Sequence, residues 1–141
     1  METADEVRHI LTYLHGYFAM FRAQDGQWGK LTSSKAFEKL PETSALRKIA
    51  DHTHQTVQYL SRKLSHYSGS LQEANHLDQL RAMLQRLSEP ADHADLLRDA
   101  KAEVLKSSQI ELRETIIARH EHQVECFEGL RRLLVNLTAP S

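Results

Sequence analysis

A chain of 141 residues, 40% hydrophobic and 26% charged, is long enough to bury a core and short enough to be one domain. A formal net charge of −1 sets up no field that gathers nucleic acid or an anionic membrane, and no run approaches the roughly 18 apolar residues of a membrane span. Cys126 is the single cysteine and cannot form an internal disulfide, and METADEVRHI has no basic stretch leading into an apolar one. The expectation is therefore a reducing, cytoplasmic setting without a secretory signal.

Helical spacing dominates in chain order. Residues 3–23 place Val7, Leu11, Leu14, Phe18 and Phe21 three or four apart, with Thr3 and Glu6 as a capping box. The segment AQDGQWGKLTSS, 23–34, reads as a loop because Gly26 and Gly29 flank Trp28. A short helix is predicted over 34–39, and Pro41 suits the start of the next one. From Glu42 to about His66, the residues Leu46, Ile49, Ala50, Thr53, Val57, Leu60 and Leu64 form a second stripe. A third helix is predicted from about Leu71 to Leu87, ended by Pro90. Beyond it, one long helix or two nearly collinear ones should run from about Ala91 to Leu137, since only Gly129 interrupts. No stretch alternates in the manner of a strand. The predicted architecture is an all-α, up-and-down four-helix bundle with a long C-terminal helix, a single domain over 1–141. Trp28, Tyr13, Tyr17, Phe18 and Phe21 are assigned to its core, and Cys126 reads as a small buried apolar residue.

Nine histidines are many for this length, and their placement repeats. IADHTHQ at 49–55 is echoed by IARHEHQ at 117–123. His9 opens a run with Ile10, Tyr13, Tyr17 and Met20, answered from His76 by Leu77, Leu80, Leu84 and Leu87. The chain thus divides into two helical hairpins, about 7–66 and 71–137. Each carries one histidine on its first helix and a His-x-His-Gln element on its second. At about 100° per residue, His76 and His120 fall inside their apolar stripes and His9 and His52 toward the edges. His54 and His122 project away from His52 and His120.

Imidazole is the commonest protein ligand for divalent first-row metals, and helical bundles build such sites from facing helices. In order and spacing the four histidines resemble the hemerythrin-like, or HHE cation-binding, domains. The resemblance covers about residues 7–134. It implies a bundle holding non-haem iron or another divalent metal; the reading adopted is a metal or small-ligand site in the core with a binding or sensing role. The site residues it nominates are His9, His52, His76 and His120. The family keeps a glutamate four residues after the second and fourth of these histidines, where this chain has Thr56 and Val124. Glu121, Glu125 or water would complete the ligation.

Other readings stand beside this one. Arg47 to His52 and Arg113 to His120 fit short Arg-His motifs similar to those of HEPN-type ribonucleases, in which arginine steadies phosphate charge and histidine moves a proton. A long last helix ending in Leu133, Leu134, Val135 and Leu137 suits a homodimer or a protein partner, making a metal-free interaction or signal-relay module. Gly26-x-Trp28 with His15 and His54 also resembles zinc-binding chemoreceptor domains. The cysteine those domains place before the glycine is absent, with Ala23 nearby, and the first helix reads as too short, so this reading is set aside. No constellation for hydrolysis or group transfer stands out, so a non-enzymatic role is favoured.

Overall fold

The computed structural model describes residues 4–67, 82, 85 and 91–138. Among them every regular element is helical and none is a strand. In chain order they are α1 (Ala4–Thr32), the single turn α2 (Lys35–Glu38), α3 (Ala45–Tyr67), α4 (Ala91–Ala102), a 3₁₀ turn (Ser107–Gln109) and the long C-terminal helix α5 (Ile110–Thr138). The third helix read from the sequence, with His76, lies outside the described residues except for Ala82 and Gln85, which are helical and exposed.

Helix α1 corrects the loop read at 23–34. It continues through Gly26 and Gly29, although each glycine costs a helix interior about 1 kcal/mol relative to alanine. The gain comes from packing. Leu14, Tyr17, Phe21, Gln24, Trp28 and Leu31 are spaced three and four apart, and each is buried or packed on the core. Stopping at residue 23 would withdraw Trp28, now 2% exposed. The helix ends where Thr32 Oγ1 donates to the Trp28 carbonyl (2.9 Å) and Ser33 Oγ to the Gly29 carbonyl (2.7 Å). The expected short helix is present as α2, where Ser34 Oγ accepts from Phe37 N (3.3 Å). Pro41 does not begin α3. Ser44 does, by accepting from Arg47 N (3.3 Å).

The span from 91 to 137, read as one long helix or two nearly collinear ones, forms two, separated at residues 103–106, which hold neither glycine nor proline. Tertiary hydrogen bonds make the break. The Glu103 carboxylate accepts from Ser44 Oγ (2.6 Å) and from Ala45 N (2.7 Å), placing negative charge at the N-terminus of α3. Arg113 Nη1 donates to the Glu103 carbonyl (2.7 Å), and Lys106 N donates to Gln109 Oε1 (3.3 Å). The starts of α3 and α5 therefore lie at one end of the molecule, both tied to Glu103.

Helices α1 and α5 run antiparallel. Trp28 meets Gln123, Phe21 stacks on Phe127 at a centroid distance of 5.8 Å, and Tyr17 lies over Gly129. Helix α3 packs on α1, α4 and α5. Phe21, Leu40, Leu46, Ile49, Leu60, Ile116 and Leu130 are fully buried between them. Tyr13, expected in the core, is 64% exposed.

Gly129 is the point of closest helix approach, since a Cβ there would overlap Tyr17 Oη. Gly129→Ala should therefore lower stability by about 1–3 kcal/mol in urea denaturation, outweighing the gain of about 1 kcal/mol in helix propensity. In a Tyr17→Phe background, with the hydroxyl gone, the loss should shrink.

Candidate functional site: a buried polar layer and its cleft

The three long helices present polar side chains at positions their apolar stripes would otherwise fill. These are Gln24 on α1, Thr53 on α3, and His120 and Gln123 on α5, all at least nine-tenths buried. They pair as Gln24 with Gln123 and Thr53 with His120, and the two α5 members lie within one helical turn. Among the described residues no buried side-chain nitrogen or oxygen lacks a hydrogen-bond partner.

One chain of bonds crosses from α1 to α5, and its direction follows from its first member. Trp28 Nε1 can only donate, and it donates to Gln123 Oε1 (3.1 Å). The other end of that amide is then the donor, and Gln123 Nε2 reaches Gln24 Oε1 (2.8 Å). The Gln24 amide is oriented in turn, and its Nε2 donates to Cys126 Sγ (3.5 Å). Cys126 Sγ lies 3.8 Å from both Met20 Sδ and His122 Nε2.

A second link joins α3 to α5. Thr53 Oγ1 donates its single proton to the Ile49 carbonyl (2.7 Å), so it must accept from His120 Nδ1 (2.9 Å). This assigns the proton to Nδ1 of His120. A third link joins α1 to α3, between Asp25 Oδ1 and His54 Nε2 (3.0 Å).

Over the first chain, between α1 and α5, lies a partly open cleft of about 250 Å³. Gln24, Trp28 and Gln123 lie toward the core, Ala118 forms a wall, and Gln27, Arg119 and His122 stand at the exposed mouth.

The residues nominated from the sequence are placed as follows. His120 is buried, 2% exposed. His52 is exposed on α3, and Thr53 takes the inward position expected of it. Buried counterparts on α3 and α5 are 67 apart, as with Ile49 and Ile116 or Thr53 and His120, whereas the sequence echo runs at 68. One residue turns a side chain by about 100°, so the echo cannot place His52 and His120 at equivalent depth. Glu121 is exposed and pairs with Lys101 (3.2 Å), and Glu125 is exposed. His9 lies in α1 with its side chain outside the described set, and His76 is wholly outside it. Among the described residues no three His, Cys, Asp or Glu side chains gather where they could hold a metal ion.

Both arginines of the ribonuclease-like motifs tie down turns. Arg47 Nη1 donates to the Leu40 carbonyl (2.7 Å), with its guanidinium 5.5 Å from the Phe37 ring centre, and Arg113 holds Glu103. Of the terminal residues suggested for a dimer contact, Leu133 packs on the chain's own core and Val135 is 43% exposed, while the side chains of Leu134 and Leu137 lie outside the described set. No described helix is long and apolar enough to cross a membrane. No protein-family model, curated protein or solved structure matches the chain.

Sequence reasoning did not single out Gln24, Gln123 or Thr53 as site residues. Thr53 and Gln123 stood in view, one inside the second stripe and one closing the echo. Gln24 was hidden by the loop reading of 23–34. The usable signal was a polar residue on an apolar stripe.

Thr53→Val keeps the side-chain shape but leaves the His120 Nδ1–H without this acceptor. It should destabilise the protein by about 1–3 kcal/mol in urea denaturation, whereas Thr53→Ser should recover most of the loss.

Proposed function

We propose that this protein is a non-enzymatic, ligand-responsive helical module that takes a small organic carboxylate into the cleft between α1 and α5. The observation that carries the reading is the opening of this cleft onto the Trp28, Gln123, Gln24 chain. Its size suits a single-ring or short-chain molecule, at the small end of the ordinary range of ligand sites. Its mostly apolar lining would hold the ligand's carbon frame. Arg119 at the mouth would meet the carboxylate in a charge-assisted pair, with the exposed imidazole of His122 beside it. A ligand pressing on Gln123 competes with the Trp28 bond, and this would couple binding to the helix seam.

Trp28 is the only tryptophan, so its fluorescence reports on the cleft directly. Titration with benzoate, and with hexanoate in parallel, should give a saturable change with at least one of them. Arg119→Gln should weaken that binding about tenfold or more, the loss of a hydrogen bond to a charged group. Fluorescence that does not saturate with either compound by about 10 mM, beyond the millimolar range of weak binding, would remove the proposal.

One observation favours the hemerythrin-like reading as a second proposal. His120 is buried, and Thr53 fixes its Nδ1–H, which is how a histidine that binds metal through Nε2 is usually oriented. The expected outcome is that anaerobic iron(II) titration saturates at one or two ions per chain and that His120→Ala lowers that number. Substoichiometric uptake, with no change in absorbance on admitting air, would end this reading.

A further inference from the structure

We propose that Met20, His122 and Cys126 form a copper(I) site on the α1–α5 seam, separate from the four histidines His9, His52, His76 and His120 and sharing His122 with the mouth of the cleft. The three side chains come from two helices. His122 and Cys126 are four residues apart on α5 and share one face, and Met20 reaches the same sulfur from α1.

The two separations from the cysteine sulfur are those of ligands on one ion. Cys126 Sγ is 3.8 Å from His122 Nε2 and 3.8 Å from Met20 Sδ. A three-coordinate ion with bonds of about 2.3 Å to sulfur and 2.0 Å to nitrogen needs separations of about 3.7 Å and 4.0 Å, respectively.

The donor types choose the metal. A thiolate, a thioether and one imidazole form a soft set that suits monovalent copper better than iron, magnesium or calcium. The surroundings suit a metal-bound thiolate as well. Cys126 is 8% exposed, and the Gln24 amide, whose orientation is set through Gln123 by Trp28, donates an N–H to its sulfur. A fixed N–H aimed at a ligating sulfur is the kind of outer contact that tunes such centres. His122, on the solvent side, gives an incoming ion a path to the sulfur. As the sulfur–copper bond forms the thiol proton leaves to solvent, so one proton is released per ion and no electron is transferred.

The test is an anaerobic titration of the reduced chain with copper(I) against the colorimetric chelator bicinchoninate, repeated with zinc(II) and a zinc indicator. One copper(I) per chain should be withdrawn from the chelator, with zinc(II) held far more weakly. Cys126→Ser should abolish uptake. Met20→Leu preserves volume, and it and His122→Gln should each weaken copper(I) binding at least about tenfold. Far-ultraviolet circular dichroism checks that each variant keeps its helices. Failure to compete with the chelator, a stoichiometry other than one, or unchanged affinity in folded Met20→Leu or His122→Gln would overturn the assignment.

Discussion

The structure depends on one constraint, that each polar side chain placed on a helix seam must meet its partner. Apolar contacts along a three-four stripe are nearly interchangeable, because hydrophobic attraction has no direction. A helix sliding by one heptad would still bury leucine against leucine. It would also separate Gln24 from Gln123 and Thr53 from His120, and each buried group left without a partner costs about 1–3 kcal/mol. The polar layer thus acts as the register mark for α1, α3 and α5. Trp28 strengthens it, since a group that can only donate sets the orientation of two successive amides. The aromatic row of Tyr17, Phe21 and Phe127 and the close approach at Gly129 then continue the α1–α5 contact from an alignment already defined.

The second organising element lies at one end of the molecule. Glu103 interrupts what would otherwise be a continuous helix, because its carboxylate does more at the N-terminus of α3 than as one further helical residue. A carboxylate there meets unpaired backbone donors and the positive end of the helix dipole together. Arg113 completes the knot by holding the Glu103 carbonyl. The exposed pair between Lys101 and Glu121 adds little by comparison, since water and salt screen it.

These two elements link the fold to the proposed chemistry. The same side chains that set register are those that ligands would meet, because Gln24 and Gln123 border the cleft while Gln24 also donates to the Cys126 sulfur. His122 stands at the junction, at the cleft mouth and against the thiol. A change at either place would be transmitted through hydrogen bonds that already join α1 to α5. That is a physical route from occupancy to helix alignment, which a purely apolar seam would not provide.

The all-helical fold and the long terminal helix were legible in the sequence, because glycine and proline are few and apolar residues recur every three or four positions. The stripe on α3 was legible in detail, and so was the capped turn α2. Local pattern failed where distant partners prevailed. Gly26 and Gly29 signal a loop until Trp28 finds Gln123, and no residue between 103 and 106 announces a break until Ser44 and Ala45 offer donors to Glu103. The histidine echo was real as sequence and misleading as geometry, for an offset of 68 and a burial offset of 67 differ by more than a quarter turn. Sequence alone therefore determined that the described elements are helical, that the last is long, and which stripe of α3 faces inward. Only the tertiary structure decided which polar groups meet, because a hydrogen bond needs both partners at one place and orientation, and periodicity along one helix carries no information about its neighbour.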